Sequence, residues 1–537
     1  TEEDTIYASH PYGSGWETRR LPYVSRTTRR DREAGGPYNG ALLRTVVTDN
    51  LVDANTGTRY DSTRTTTEGA TANGQHGGGI WTERVYHPTL FTDTAGGNWC
   101  VGRPASTQET RSHTMTGGTQ QTRQVDTTWN GTYCRPTQTV LQPGDPQWQV
   151  TKALGYDGFG NLNSESVTGV GMAVRTTGIS WGTTGRFPLT VTNALGQATT
   201  LGWNTALGVL TSQTDPNSIA TTWQYDGFGR LTRENRPDGT ASATDWYACD
   251  ASNGYCGDPL LRGYALTLDL TNSGTEVRRN YTFFDAQDRL KYDERTGFSG
   301  SLIIARREYD ALGRMRLESM PYLDGNPSYS TTYSFDLHSR PTQISRPVSD
   351  ADPSLETTTF AYEGLTTRIT DANGKQTLHV ADAQGQVARS VDHDGYAQAF
   401  DYDAFGNPVK VDDSLSHTLQ TAAYNLRGLR TASFNVNLGS WSYGYNALGE
   451  RTSHTDANGK TTSYTYDVLG RPLTRVMPEG TDSITSAWTW GTSAAAREIG
   501  RLKQAQISGT GVTPYRETFI FDSLGRPSQT QYVEGAN

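Results

Sequence analysis

One seven-residue word recurs along this chain at nearly constant spacing, and it limits the fold more than any other feature. It reads aromatic, Asp or Asn, a small or apolar residue, Leu or Phe, Gly, Arg or Asn, then an apolar residue or Pro. Clear copies are Tyr156-Asp157-Gly158-Phe159-Gly160-Asn161-Leu162, Tyr225-Asp226-Gly227-Phe228-Gly229-Arg230-Leu231 and Tyr309-Asp310-Ala311-Leu312-Gly313-Arg314. Others begin at Tyr402 (Asp403, Gly406), Tyr445 (Gly449, with Asn446 and Glu450), Tyr466 (Asp467, Gly470) and Phe521 (Asp522, Gly525). Looser copies begin at Trp203, Phe284, Phe335, Ala381 and Tyr424. In the best stretch the words start at 381, 402, 424, 445 and 466, so the intervals are 21, 22, 21 and 21 residues. A fixed period of this size marks a repeat architecture.

The period fits two strands of about six residues and two turns. The aromatic closes a strand and packs a broad face. Asp or Asn accepts from the backbone two residues ahead and starts the turn. Gly supplies a positive φ. The Leu or Phe before it is unusual for an exposed turn, and it is expected to fold back and cap the hairpin against its neighbour. A second turn lies about ten residues before the word, as Asp371-Ala372-Asn373-Gly374 and Asp456-Ala457-Asn458-Gly459. Asn-Gly there is the strongest signal for a two-residue hairpin. Thr461-Thr462-Ser463-Tyr464-Thr465-Tyr466 then alternates with period two, with aromatics on one face and Ser or Thr on the other. One such hairpin cannot bury its apolar face, so successive hairpins must stand side by side. Strands twist, so a very wide sheet must coil. The expected fold is all-β: repetitive antiparallel hairpins coiled into a spiral sheet or hollow shell.

The word is explicit over residues 151–537. Residues 1–150 lack a clean copy but have the same strand-and-turn texture, and read as degenerate repeats or the N-terminal part of the shell. An insertion at about 241–260 interrupts the spacing. It holds Cys249 and Cys256, while Cys100 and Cys134 lie in the first 150 residues. The even number and close sequence pairing predict Cys100–Cys134 and Cys249–Cys256 disulfides, hence an oxidising compartment.

Hydrophobic residues make up 34% and charged residues 19%, both low for a compact domain. Disorder does not follow, because the 10% aromatic content sits at repeating positions. The net charge of -9 with no long basic run leaves nucleic-acid binding without an electrostatic footprint. No apolar stretch is long enough for a membrane helix. The chain opens at Thr1 and reads as a processed or truncated piece of something longer.

No catalytic elbow, zinc-protease motif or phosphate loop is present, so no enzyme, catalytic residue, metal or cofactor is expected. His76, His87 and His113 come nearest to a histidine group. The turns at Asp371, Asp392 and Asp456 resemble calcium loops but lack a later bidentate carboxylate in place. Exposed aromatics could stack on sugars; Trp16, Trp81, Trp99, Trp129 and Trp148 lie outside clear words and are the least constrained.

From about Tyr156 to Tyr532 the words resemble the YD repeat of Rhs and YD-repeat proteins, a family that includes bacterial polymorphic toxins, toxin-complex components and teneurins. The resemblance implies a coiled β shell around a hollow interior. In toxin members such a shell holds an effector polypeptide and ends in an Asp-Pro-x-Gly core motif with aspartate-dependent self-cleavage. Here Asp145-Pro146, Asp215-Pro216, Asp258-Pro259 and Asp352-Pro353 are not followed by x-Gly, so no catalytic residue is carried over. The expectation is a secreted or cell-surface, non-enzymatic shell segment. Its partners would be an effector polypeptide and other shell or delivery subunits. The alternative is a surface protein that binds glycans or forms fibres.

Overall fold

The computed structural model describes residues 1–12, 19–33, 39–69, 79–95, 99–115, 117–249, 256–349 and 352–535. Trp16 and His76 lie outside the described residues, as do residues 250–255 of the insertion. Among the described residues there are 41 strands and no α-helix, and the strands form one antiparallel open sheet. Each strand pairs with the strands before and after it. Thr461–Tyr466, for example, lies between Arg451–Thr455 and Pro472–Glu479. Pairing runs through residue 150 without a break, where Arg135–Leu141 meets Val150–Tyr156. Strands reach 14 residues near the N-terminus, as in Ile80–Asp93 and Cys100–His113, and shorten to 5 or 6 where the word is regular.

One strand departs from the simple meander. Met315–Ser319 and Tyr322–Leu323 both pair with Leu302–Tyr309 and form one strand broken at Met320-Pro321. Proline has no N–H to give the ladder. The neighbouring Arg306 N–H turns instead to the Ser319 hydroxyl at 2.8 Å. With these two pieces taken as one strand, every word falls at the same rim of the sheet. The Asn-Gly and related turns all fall at the opposite, plain rim.

Among the described residues no second layer packs on this sheet. The accessible surface is 29765 Å², whereas a compact protein of 58.7 kDa would expose about 19,000 Å². The buried apolar cluster is small: Tyr264, Tyr281 and Phe283, beside the Cys249–Cys256 disulfide. Cys100 and Cys134 are also bonded, and join neighbouring turns on the word rim.

The sheet coils until it meets itself. Glu33 reaches Arg340, 307 residues away, and Arg123 reaches Leu426, 303 residues away. Arg175 reaches Glu450 over 275 residues and Asn217 reaches Ile499 over 282. In each case the plain rim of the first coil meets the word rim of the second. The chain is therefore a spiral with a continuous seam.

Candidate functional site: the word turn and the seam

The word is a clasp, and Tyr466 to Pro472 shows its parts. The Asp467 N–H donates to the Arg471 carbonyl and the Gly470 N–H to the Asp467 carbonyl, both at 3.0 Å. The Asp467 carboxylate accepts from the Leu469 N–H at 2.8 Å, the Arg471 N–H at 3.0 Å and the Arg471 Nε at 2.7 Å. Gly470 has φ +80, a conformation that costs L side chains strain. Asp226–Arg230, Asp285–Arg289, Asp310–Arg314 and Asp522–Arg526 repeat the arrangement. Burial alone would raise the Asp467 carboxyl, but Arg471 and the turn N–H groups outweigh it and hold the pKa below the usual carboxylate range.

The Asp-Ala-Asn-Gly turns take this same backbone path. Asp371 N–H donates to the Lys375 carbonyl and Gly374 N–H to the Asp371 carbonyl. Only Gly374 has positive φ; Asn373 does not. The expected two-residue turn is thus a longer loop closed by Gly, because the Asp carboxylate caps two N–H groups that a tighter turn would not present. That use of Asp371, and the like use of Asp392 and Asp456, commits one carboxylate oxygen of each to its own turn.

A bulge just after the turn accompanies every clear copy of the word, whereas most plain turns lack one. Tyr466 pairs with Pro472 but Thr465 pairs with Thr474, so residue 473 is extra. The bulge disrupts the ladder at the residue that opens the returning strand. The aromatic of the following word supplies a donor there. Tyr466 Oη donates to the Arg451 carbonyl at 2.8 Å, Tyr445 to Arg430, Tyr402 to Val387 and Tyr309 to Leu290. Trp129, Trp203 and Trp490 do the same through Nε1. The word Arg then lies over the next aromatic, as with Arg289 on Tyr309 at 4.4 Å and Arg471 on Trp490 at 4.7 Å. Where a word carries both an aromatic and an Arg, its hairpin is therefore tied to the one before it by the ring and to the one after it by the guanidinium.

Tyr466→Phe keeps the ring and removes the donor. It is expected to weaken the local joint by about 1 kcal/mol, read as faster amide exchange in residues 451–466. Unchanged exchange would mean that another group serves the Arg451 carbonyl.

The expected folding back of the Leu or Phe is corrected by the structure. On the first coil these residues stand out from the rim: Phe228 is 87% exposed, and Phe159 and Leu312 are also exposed. Each turn is too tight to fold its fourth residue onto itself. Burial comes only where another coil arrives, and Phe405, Leu448 and Leu469 on the second coil are half-buried. Phe405 lies under Arg123, whose Cζ is 3.6 Å from the ring centroid, with Arg111 at 5.2 Å.

The seam was not foreseen from the sequence. Arg44 donates to the Ala383 carbonyl, Arg123 to Leu426, and Arg175 makes two bonds to Glu450 at 2.8 and 2.9 Å. A signal for it does exist. The four successive words that start at 381, 402, 424 and 445 carry Gln386, Asn407, Leu429 and Glu450 where Arg is usual. An Arg there would face the arginines of the first coil's rim, and like charges repel at close range.

The remaining candidates are dispersed. His87 lies beside Thr107, while His113, near the far end of the same strand pair, bonds Tyr402 on the second coil. Trp81 is buried, Trp99 is exposed, Trp129 is spent on Pro104 and the Trp148 N–H caps on Asp145. Among the described residues no group of His, Cys, Asp and Glu is arranged to hold a metal ion. Among the same residues no helix is long and apolar enough to cross a membrane.

The RHS Repeat family model matches residues 203–241, 382–418 and 440–482. A search of curated proteins gave no match. Solved structures match the whole fold. A TcdB2–TccC3–TEV structure aligns with a TM-score of 0.75 at 12% identity, over 100% of this chain and 37% of that one. The Photorhabdus luminescens Tc holotoxin pore aligns with a TM-score of 0.74 at 11% identity, over 96% of this chain and 36% of the other. The likeness is one of fold, and the chain spans little more than a third of the length of the structures it matches.

Proposed function

We propose that this RHS-repeat chain is a segment of a secreted, non-enzymatic shell wall that encloses an effector polypeptide for delivery. One observation carries the reading: among the described residues the sheet is a single layer, joined rim to rim by its own coiling, with no apolar core beyond the small cluster around Tyr264 and Phe283. Such a wall separates two volumes of water; it does not build a concave catalytic pocket. The polar alternate face suits a cargo held without tight packing. The free word rim of the first coil, with Phe228 and Leu312 exposed above Arg230 and Arg314, suits contact with a further shell or delivery subunit. The fold shared with the TcdB2–TccC3 structures supports the same reading.

The test has two arms. Cryo-electron microscopy of the chain is expected to reveal a wall one sheet thick, about 10 Å, around a solvent-filled lumen. A solid particle overturns the reading. An unfolded reporter fused after Asn537 is then expected to resist protease far longer than the free reporter. Digestion of both at one rate would leave a scaffold without a container's function.

A second reading rests on one groove. Trp246 and Tyr247 are exposed beside Arg230 and Arg262, in an open cleft of about 690 Å³. Aromatic faces and guanidinium groups there would suit a glycan on a surface-displayed protein. Glycan-array binding lost in Trp246→Ala, with no protection of the reporter, would favour it.

A further inference from the structure

The seam buries ionisable groups that nothing in the shell reading requires. Glu68 ends the strand Arg59–Glu68 on the plain rim and is only 4% exposed. Its Oε2 accepts the Gly79 N–H at 3.3 Å, while Oε1 has no partner. Across the seam lies Asp382, 7% exposed, in the turn of the word that starts at Ala381. Its carboxylate caps the Gln384 and Gln386 N–H groups at 2.8 and 2.9 Å. His113, also on the plain rim, donates Nε2 to the Tyr402 carbonyl at 3.1 Å, and its Nδ1 is buried without a partner. Asp401 is half-buried beside it.

We propose that Glu68 and Asp382, with His113 and Asp401 beside them, make this stretch of seam a pH-dependent joint, closed in mild acid and loosened as pH rises. The joint rests on the seam's geometry and stands whether or not the wall encloses a cargo. Two carboxyls buried on opposite sides of one seam cannot both ionise without a cost.

Burial raises the Glu68 carboxyl, and the Asp382 charge raises it further. Burial raises Asp382 too, more than its turn N–H groups and His113 lower it. Asp401 is raised by burial, against Lys410, with Asp412 adding to the rise. A carboxyl whose pKa is higher in the closed seam than in the opened one favours closure below the ordinary carboxylate range. That contribution is lost as pH rises through the raised values.

The other charged groups nearby do not cancel the effect. Arg44 is held by Asp31 and the Ala383 carbonyl. Arg111 pairs with Glu83, and Arg64 stands 3.9 Å from the same Glu83. Asp403 caps its own turn. The clasp aspartates such as Asp467 have depressed values and so act oppositely: they weaken their hairpins only in strong acid. A seam that loosens toward alkaline pH is therefore separable from hairpins that loosen toward acid.

Hydrogen exchange of the full chain between pH 5 and 8, corrected for the intrinsic rate, tests this. Protection in residues 376–391 and 397–413 is expected to fall by about tenfold over that range, while residues 276–296, away from the joint, keep theirs. In the variant carrying Glu68→Gln and Asp382→Asn the fall is expected to vanish. Protection in the unmodified chain that stays constant or rises with pH overturns the proposal, as does a double variant that keeps the full dependence. Should the double variant fold poorly, Glu68→Gln alone is expected to halve the dependence or better, and an unaltered profile counts against the joint.

Discussion

Asp467→Ala is expected to open the hairpin of residues 461–479 by about 3 kcal/mol, with hairpins several repeats away unchanged. Three hydrogen bonds to one carboxylate are lost together. Bonds to a charged acceptor are worth about 1.5–3 kcal/mol each but do not add in full. The loss also strands Arg471, whose side chain is 17% exposed and lies over Trp490, so the joint to the next strand is weakened as well. The effect stays local because a row of hairpins contacts only its neighbours. Exchange measured peptide by peptide is the right readout, since a single unfolding transition is not expected. Asp467→Asn is expected to cost less than half as much, because Asn446 caps its turn in the same way. Asp522→Ala is the exposed counterpart, with Arg526 63% exposed, and is expected to cost least. Equal losses at Asp467 and Asp522 would refute burial as the source of the clasp's strength. The depressed pKa of Asp467 sets the sign with pH: its contribution is present above the ordinary carboxylate range and fades as pH falls through the folded value.

Arg175→Met is expected to weaken the seam by about 2–3 kcal/mol. The side chains of Arg175 and Glu450 are 20% and 16% exposed, so removing one leaves the other charge partly buried. Asn446 still donates to Glu450 at 2.6 Å, which keeps the cost below that of a fully orphaned carboxylate. Glu450→Met is expected to cost a similar amount. The double variant should recover part of it, because apolar pairs replace buried ion pairs well. The interaction term of that double-mutant cycle is the decisive number. A term near zero would mean that the coils are held by other contacts. The exposed pair Arg262–Asp288 serves as control, with an expected cost below about 1 kcal/mol. Loss at the seam is expected in peptides from both coils, around residues 167–178 and 446–455, although 275 residues separate the partners.

Much of this fold is legible in the order of residues because its rules are local. The Asp of the word reaches N–H groups two and four residues ahead, and Gly answers a single φ value. Tyr464 and Tyr466 share a face by alternation alone. The Cys100–Cys134 and Cys249–Cys256 bonds follow from sequence proximity. The reading of Phe228 and Leu312 as tucked residues went astray for the converse reason: whether a rim residue is covered depends on which coil lies beside it. The plain turns read as two-residue loops only when Asn-Gly is weighed apart from the Asp two positions before it.

The sequence alone determined the hairpin, its period, the turn that closes it and the need for neighbours on both sides. Each of these is decided within about two repeats of chain. The tertiary structure decided where the sheet meets itself. Pitch accumulates from small twists at every strand, and the break at Met320-Pro321 sits within that count. Arg175 and Glu450, or Glu68 and Asp382, become partners only after that sum is taken. No spacing of 275 residues or more carries a local pattern, so the seam and its chemistry belong to the coiled sheet and not to the repeat.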